Sequence, residues 1–176
     1  GKVIECVSQI NTGAKYDSEA FKRSIGLNGV GTKAVNALSE FFKVSSIREG
    51  EKKEVEFSKG EILNDYKVNN DSSLNGTKIH FIPDSQIFGQ YDFHDNYIEE
   101  RINDYVYLNS GLSIKYNGKV FYSKNGLRDL LKSKTNEDKI RYPIIHLKDD
   151  DIEIALTHSN QYGEEYHTFV NGQNTI

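Results

Sequence analysis

"GLNGVGTKAVNAL", Gly26 to Leu38, places three glycines within six residues and then changes abruptly to an apolar pattern. Glycine lets the backbone approach a ligand closely, and a helix N-terminus adds partial positive charge, so a glycine cluster ahead of a helix suits phosphate. Three loop types compete for it. The dinucleotide fingerprint needs a strand, then G-x-G-x-x-G, then a helix. Gly29-Val30-Gly31-Thr32-Lys33-Ala34 supplies a G-x-G-x-x-A, but a polar stretch precedes it. The P-loop needs G-x-x-x-x-G-K-[ST], and here Thr32-Lys33 follow Gly31 in the reverse order. The third type, G-x-x-G-x-G, caps a helix so that its amides meet a triphosphate from one side. The plain alternative is a glycine-rich loop before a core helix with no ligand.

Working outward, Ala34, Val35, Leu38, Phe41 and Phe42 recur at three-four spacing, which predicts a helix from Gly31 to about Ser39. Val3, Ile4, Val7 and Ile10 predict a helix over 2–10, and Asn11 to Gly26 reads as a long loop. Two strands are expected around Glu49-Gly50, with Val55 and Phe57 alternating against charges, and a third in "TKIHFIP". Phe93, Tyr97, Ile98, Ile102, Tyr105 and Val106 form the stripe of a second helix. "LSIKYNGKVFY" predicts a hairpin turning type I′ at Asn117-Gly118. Leu127, Leu130 and Leu131 suggest a short helix, and "DIEIALTHS" and "EEYHTFVNG" two strands joined across Gln161–Gly163. Mixed strands and helices without βαβ alternation point to an α+β chain with a largely antiparallel or mixed sheet.

Composition narrows the function. Charged residues at 27% and apolar ones at 36% describe a globular chain. The net charge of −4, with no long Lys/Arg cluster, argues against strong autonomous nucleic-acid binding. One cysteine, Cys6, excludes an internal disulfide and suits a reducing cytoplasm. No apolar run is long enough to span a membrane as a helix. The absence of Met, even at position 1, fits a piece of a longer protein. His80, His94, His146, His158 and His167 show no tight pairing suited to zinc, and Asp149–Asp151 reads as a surface turn between strands rather than a cation site.

At this point the residues resemble a known family. "INTGAKYDSEAFKRSIGLNGVGTKAVNALS" is similar to the ATP lid and following helix in the B subunits of bacterial type IIA topoisomerases. "FFKVSSIREG", "NGTKIHFIPDSQIF", "YLNSGLSI" and "THSNQYGEEYHTFVNGQNT" follow in the family's order, so the resemblance covers essentially the whole chain. Asn28 and "NQYGEEYHTFVNG" look nearer to the topoisomerase IV members of that family than to the gyrase members.

The resemblance implies part of a GHKL (Bergerat-type) ATPase α/β sandwich, with ATP held between sheet and helices under a lid. It implies residues 1–150 as the lid-containing part of that domain and 151–176 as the first strands of a transducer domain. Gly26, Leu27, Asn28, Gly29, Val30 and Gly31 would present backbone to the phosphates, with Lys15 near the phosphate end. Thr77 matches a threonine of the adenine-side network. Arg48 matches an arginine at the pocket mouth, associated with inhibitors that compete with ATP. Phe21 stands where a lid tyrosine often reaches the adenine. In the intact enzyme the implied partners are DNA, the A-type subunit and a second copy of the B-type one.

The family's E-x-x-x-N segment, which polarises water and binds magnesium, and its adenine-reading D-x-G-x-G segment are expected before Gly1. A lysine for the γ-phosphate is expected beyond Ile176. Glu99 and Asn103 do spell E-x-x-x-N, but they follow the lid and fit an exposed helix face. No catalytic residue and no Mg2+ ligand is therefore expected within the chain, and the isolated fragment is expected not to hydrolyse ATP. The rivals are another GHKL ATPase of the mismatch-repair type and a non-catalytic binding module built on the same half-fold.

Overall fold

Four two-residue turns organise the strands among the described residues, each an X-Gly pair with both residues at positive φ: Glu49-Gly50, Lys59-Gly60, Asn117-Gly118 and Asn171-Gly172. Such type I′ turns match the right-handed twist of antiparallel strands, and glycine meets the second position without strain. The computed structural model describes residues 2–12, 29–69 and 74–175. These fall into two compact units, Gly1–Asp92 and Phe93–Ile176.

In the first unit, α1 (Lys2–Ser8) and α2 (Gly31–Ala37) accompany a sheet of β1 (Ser39–Arg48), β2 (Glu51–Ser58), β3 (Glu61–Asn69) and β4 (Gly76–Pro83), followed by α3 (Ser85–Phe88). The sheet order is β3-β2-β1-β4, antiparallel throughout. Facing residues in an antiparallel pair share a side of the sheet. Phe42 faces Phe57 and Phe81, and Val44 faces Val55 and Ile79. Val3, Ile4 and Val7 of α1 pack on this side, burying Phe42, Val44, Val55 and Phe57 almost completely. Full burial of a side chain of this size stabilises by about 1.5–3 kcal/mol. The opposite side is charged, with Lys43 between Glu54 (2.6 Å) and Glu56 (3.0 Å).

The helix expected to reach about Ser39 ends at Ala37, because Phe42 and Val44 join a strand alternation stronger than their helical spacing. Strand β3 was not legible, since Lys59-Gly60 is a weaker turn signal than Asn-Gly and "EILNDYKVN" hardly alternates. As an edge strand it keeps Ile62, Leu63, Tyr66 and Val68 half exposed.

In the second unit, α4 (Asp95–Leu108) lies on the hairpin of β5 (Ser113–Tyr116) and β6 (Lys119–Tyr122). Its core is Ile102, Val106 and Phe121, with Ile98 packed against them. The expected stripe narrows accordingly: Phe93, Tyr97 and Tyr105 remain exposed because the burying face is Ile98–Ile102–Val106. After α5 (Leu127–Lys134) and a 3-10 turn (Glu137–Lys139), β7 (Ile145–Lys148) pairs with β8 (Glu153–Leu156), and β9 (Phe169–Val170) with β10 (Gln173–Asn174). The two late strands therefore do not pair with each other across Gln161–Gly163 as expected. Asp149–Asp151 is a turn close enough to pair β8 with the preceding strand, and Asn171-Gly172, both at positive φ, closes the last hairpin.

Candidate functional site

The segment Gly29–Gly31 uses its glycines for two different reasons. Gly29 has φ +54, and a Cβ there would meet the Thr12 carbonyl oxygen at 2.7 Å. The fold itself therefore requires glycine at 29. At Gly31 an added Cβ would meet nothing within 4 Å among the described residues. Gly31 opens α2, and Val30 at the N-cap offers no side chain to close the first-turn amides. A helix start without a capping side chain, next to a glycine that packing does not explain, leaves amide donors for an anion.

The reversed Lys33 is 7% exposed and turns away from any P-loop role. Its ammonium donates to the Thr12 carbonyl at 2.7 Å and to the Gly29 carbonyl. One turn on, Asn36 is 1% exposed, and its Nδ2 donates to the Val7 carbonyl at 3.0 Å. That bond satisfies a carbonyl at the end of α1, where helix geometry leaves acceptors unpaired. Lys33 and Asn36 thus bind α2 to the chain at and after α1. Neither role was anticipated from sequence, where polar residues at helix positions read as solvent-facing.

Arg48 and Thr77 come together at one end of the sheet. Thr77 faces Ser46, which alternates in step with Phe42, Val44 and Arg48. All three polar residues therefore project from the side that α1 covers, beyond the apolar rows. There the cover stops: Ile79, in step with Thr77, is 46% exposed. Arg48 is an exposed side chain with only Glu49 nearby at 3.4 Å among the described residues. Among the same residues, no side-chain hydrogen bond holds Ser46 or Thr77. A further residue sets this corner. Asn75 Oδ1 accepts from the Glu49 amide at 2.8 Å, tying the β1–β2 turn to the start of β4. Asn75 stands two residues before Thr77 in "NGTKIHFIPDSQIF", where the resemblance gave a role to the threonine alone.

Lys15, Phe21, Gly26, Leu27 and Asn28 lie outside the described residues. Glu99 sits on α4 paired with Lys119 at 2.7 Å, an ordinary surface ion pair. Among the described residues no group of three or more His, Cys, Asp or Glu side chains could hold a metal.

Comparisons with known proteins bear on this geometry. No family model matches the chain. It is 49% identical to the B subunit of DNA topoisomerase 4 from Borreliella burgdorferi over 99% of its length, spanning 29% of that protein. It is 31% identical to the B subunit of DNA gyrase from Campylobacter jejuni over 94% of its length, spanning 23% of that protein. The 43K ATPase domain of Thermus thermophilus gyrase B, solved in complex with an aminocoumarin, superposes with a TM-score of 0.73 at 26% identity, over 98% of this chain and 46% of that one. The gyrase B protein of Myxococcus xanthus, 17% identical with a TM-score of 0.74, shares the fold. The fold is accordingly that of the gyrase B ATPase domain, a GHKL fold, in part. The chain is thus similar along nearly its whole length to B subunits of topoisomerase 4 and gyrase, and it spans 29% and 23% of the length of the topoisomerase 4 and Campylobacter gyrase relatives. Among the described residues no helix is long and apolar enough to cross a membrane.

Proposed function

We propose that the chain is an ATP-binding part of a type IIA topoisomerase, and that it contributes the phosphate-facing and pocket-mouth portions of the site. The carrying observation is the match, over 98% of the chain, to a domain described as the ATPase domain of gyrase B. The local geometry fits a nucleotide: Gly31 has room for close approach, and Ser46 and Thr77 stand on the helix-covered side with no side-chain bond of their own among the described residues. In this reading Gly26, Leu27, Asn28, Gly29, Val30 and Gly31 line the phosphates with Lys15, Thr77 serves the adenine side, and Arg48 stands at the mouth. Mg2+ neutralises phosphate charge when bound; its ligand belongs to the E-x-x-x-N segment expected outside this chain.

The whole protein would couple ATP turnover to DNA strand passage in the cytoplasm, with the A-type subunit and a second copy of itself as partners. Within it, residues 1–150 would be the lid-containing part of the ATPase domain and 151–176 the first transducer strands. That boundary falls in the turn between β7 and β8. The higher identity to the topoisomerase 4 relative than to the gyrase relatives supports a topoisomerase IV assignment.

Nucleotide titration of this chain beside a form extended at the N-terminus tests the reading. The extended form is expected to bind a non-hydrolysable ATP analogue, with Thr77→Val weakening it. The short chain is expected to bind more weakly and not to hydrolyse ATP. An extended form that ignores ATP would overturn the assignment. An aminocoumarin arm adds the pocket mouth: Arg48→Ala should weaken that inhibitor more than the ATP analogue.

A further inference from the structure

We propose that Lys33 is a positioning residue that orients the backbone at Gly29–Gly31 toward the nucleotide phosphates; this rests on the reading of that segment as phosphate-facing. The observation is a lysine, 7% exposed, on the first turn of a short helix, with its ammonium on two backbone carbonyls. A buried ammonium needs its donors satisfied, and charge-assisted bonds to carbonyls are stronger than neutral ones. Thr12 and Gly29 provide them from either end of residues 13–28. Among the described residues Lys33 forms no ion pair with a carboxylate, so its charge stays beneath the start of α2.

The geometry has a directional consequence. In a trans peptide the carbonyl and the following N–H point opposite ways, and the structure has no cis peptide among the described residues. With the Gly29 carbonyl drawn to Lys33, the Val30 N–H is directed away from the ammonium. Gly29 itself fits only because it lacks a Cβ, which would stand 2.7 Å from the Thr12 oxygen and 3.2 Å from Lys33 Nζ. Thr12, Gly29 and Lys33 thus form one unit. It holds the Gly29–Val30 peptide in a single orientation and keeps a positive charge behind the amides that would meet an anion. The order Thr32-Lys33, which rules out a P-loop, places the lysine one position too far into the helix to lead the phosphates and in position to support them from behind.

The test uses the gene product that carries this chain, with Lys33→Gln and Lys33→Arg variants. Gln keeps a donor for the carbonyls and removes the charge; Arg keeps the charge. Affinities for a non-hydrolysable ATP analogue, ADP and AMP are measured by calorimetry, with far-UV circular dichroism and thermal unfolding beside them. In Lys33→Gln the triphosphate is expected to bind about tenfold more weakly, ADP less affected, AMP changed by less than about twofold, with most of the loss restored in Lys33→Arg. Equal losses for all three nucleotides would mean a purely structural staple and overturn the inference, as would unchanged affinities. If Lys33→Gln fails to fold, Lys33→Arg decides: a folded Arg variant with unsubstituted ATP/AMP selectivity supports the inference, and one with collapsed selectivity overturns it. Absence of ATP binding by the unsubstituted protein would instead break the ATP-site reading on which the inference rests.

Discussion

The two halves of one sheet face in the first unit are built from the same strands and serve opposite ends. In the half under α1, Phe42, Val44, Val55 and Phe57 are buried almost completely. At that end Asp84 accepts from the Gln86 amide at 3.0 Å and meets Lys59 at 2.8 Å, and the Lys59 and Asp84 amides donate to the Ser39 and Leu38 carbonyls. In the other half the rows become Ser46 with Thr77, then Arg48, and among the described residues the one side-chain partner these three have is Glu49, on Arg48. Alternation is unbroken from one half to the other, so the change lies in residue chemistry and cover, not in backbone. A face that closes polar groups at one end and leaves them open at the other has a structural end and, in the proposed reading, a binding end.

Substitutions can break or sharpen that contrast. Phe57→Ala, in the closed half, should cost about 3–5 kcal/mol in chemical denaturation; a loss below about 1 kcal/mol would mean that the core is not there. Gly29→Ala should cost about 2 kcal/mol, from a strained positive φ and the contact with Thr12, read as a lowered midpoint of thermal unfolding. A smaller effect is expected at Asp84. The Lys59 ammonium, then the Gln86 amide, hold its carboxyl below the ordinary value of 3.8. Its contribution is therefore complete above that value and fades as pH falls through the lower folded-state one. Asp84→Asn should flatten the acid limb of stability below about pH 4, and a limb of unchanged slope would count against the pairing. At the open end, Thr77→Val and Arg48→Ala should shift stability by no more than about 0.5 kcal/mol while lowering affinity for the ATP analogue and for an aminocoumarin respectively. A large stability loss there would make the open half part of the core.

Much of this was legible in sequence, and the exceptions have physical causes. The Asn117-Gly118 hairpin and the Val55/Phe57 alternation are local signals, and the structure contains both. The Glu49-Gly50 turn was equally readable. Strand β3 was not, because an edge strand needs no alternating face and its turn begins with lysine. Strand β7 was missed for a related reason: it owes its pairing to a turn of three aspartates, a composition without a specific turn signature. At the site, the glycine cluster was legible from its own spacing, while the positions of Arg48 and Thr77 came from the resemblance. The distinction between Gly29 and Gly31 did not, since only coordinates show which glycine has a neighbour where its Cβ would be. Lys33 and Asn36 were equally hidden, since their burial depends on backbone carbonyls that sequence does not place.

Gly31 gives the most direct test of the account, because among the described residues the fold leaves space there, which the proposed phosphate contact would use. Gly31→Ala in the gene product that carries this chain should leave the unfolding midpoint unchanged or raised, as alanine is the better helix former. Calorimetric titration with a non-hydrolysable ATP analogue should show affinity reduced about tenfold or more. An alanine variant that binds the analogue as tightly as the unsubstituted protein would contradict the assignment of this helix start to the phosphates.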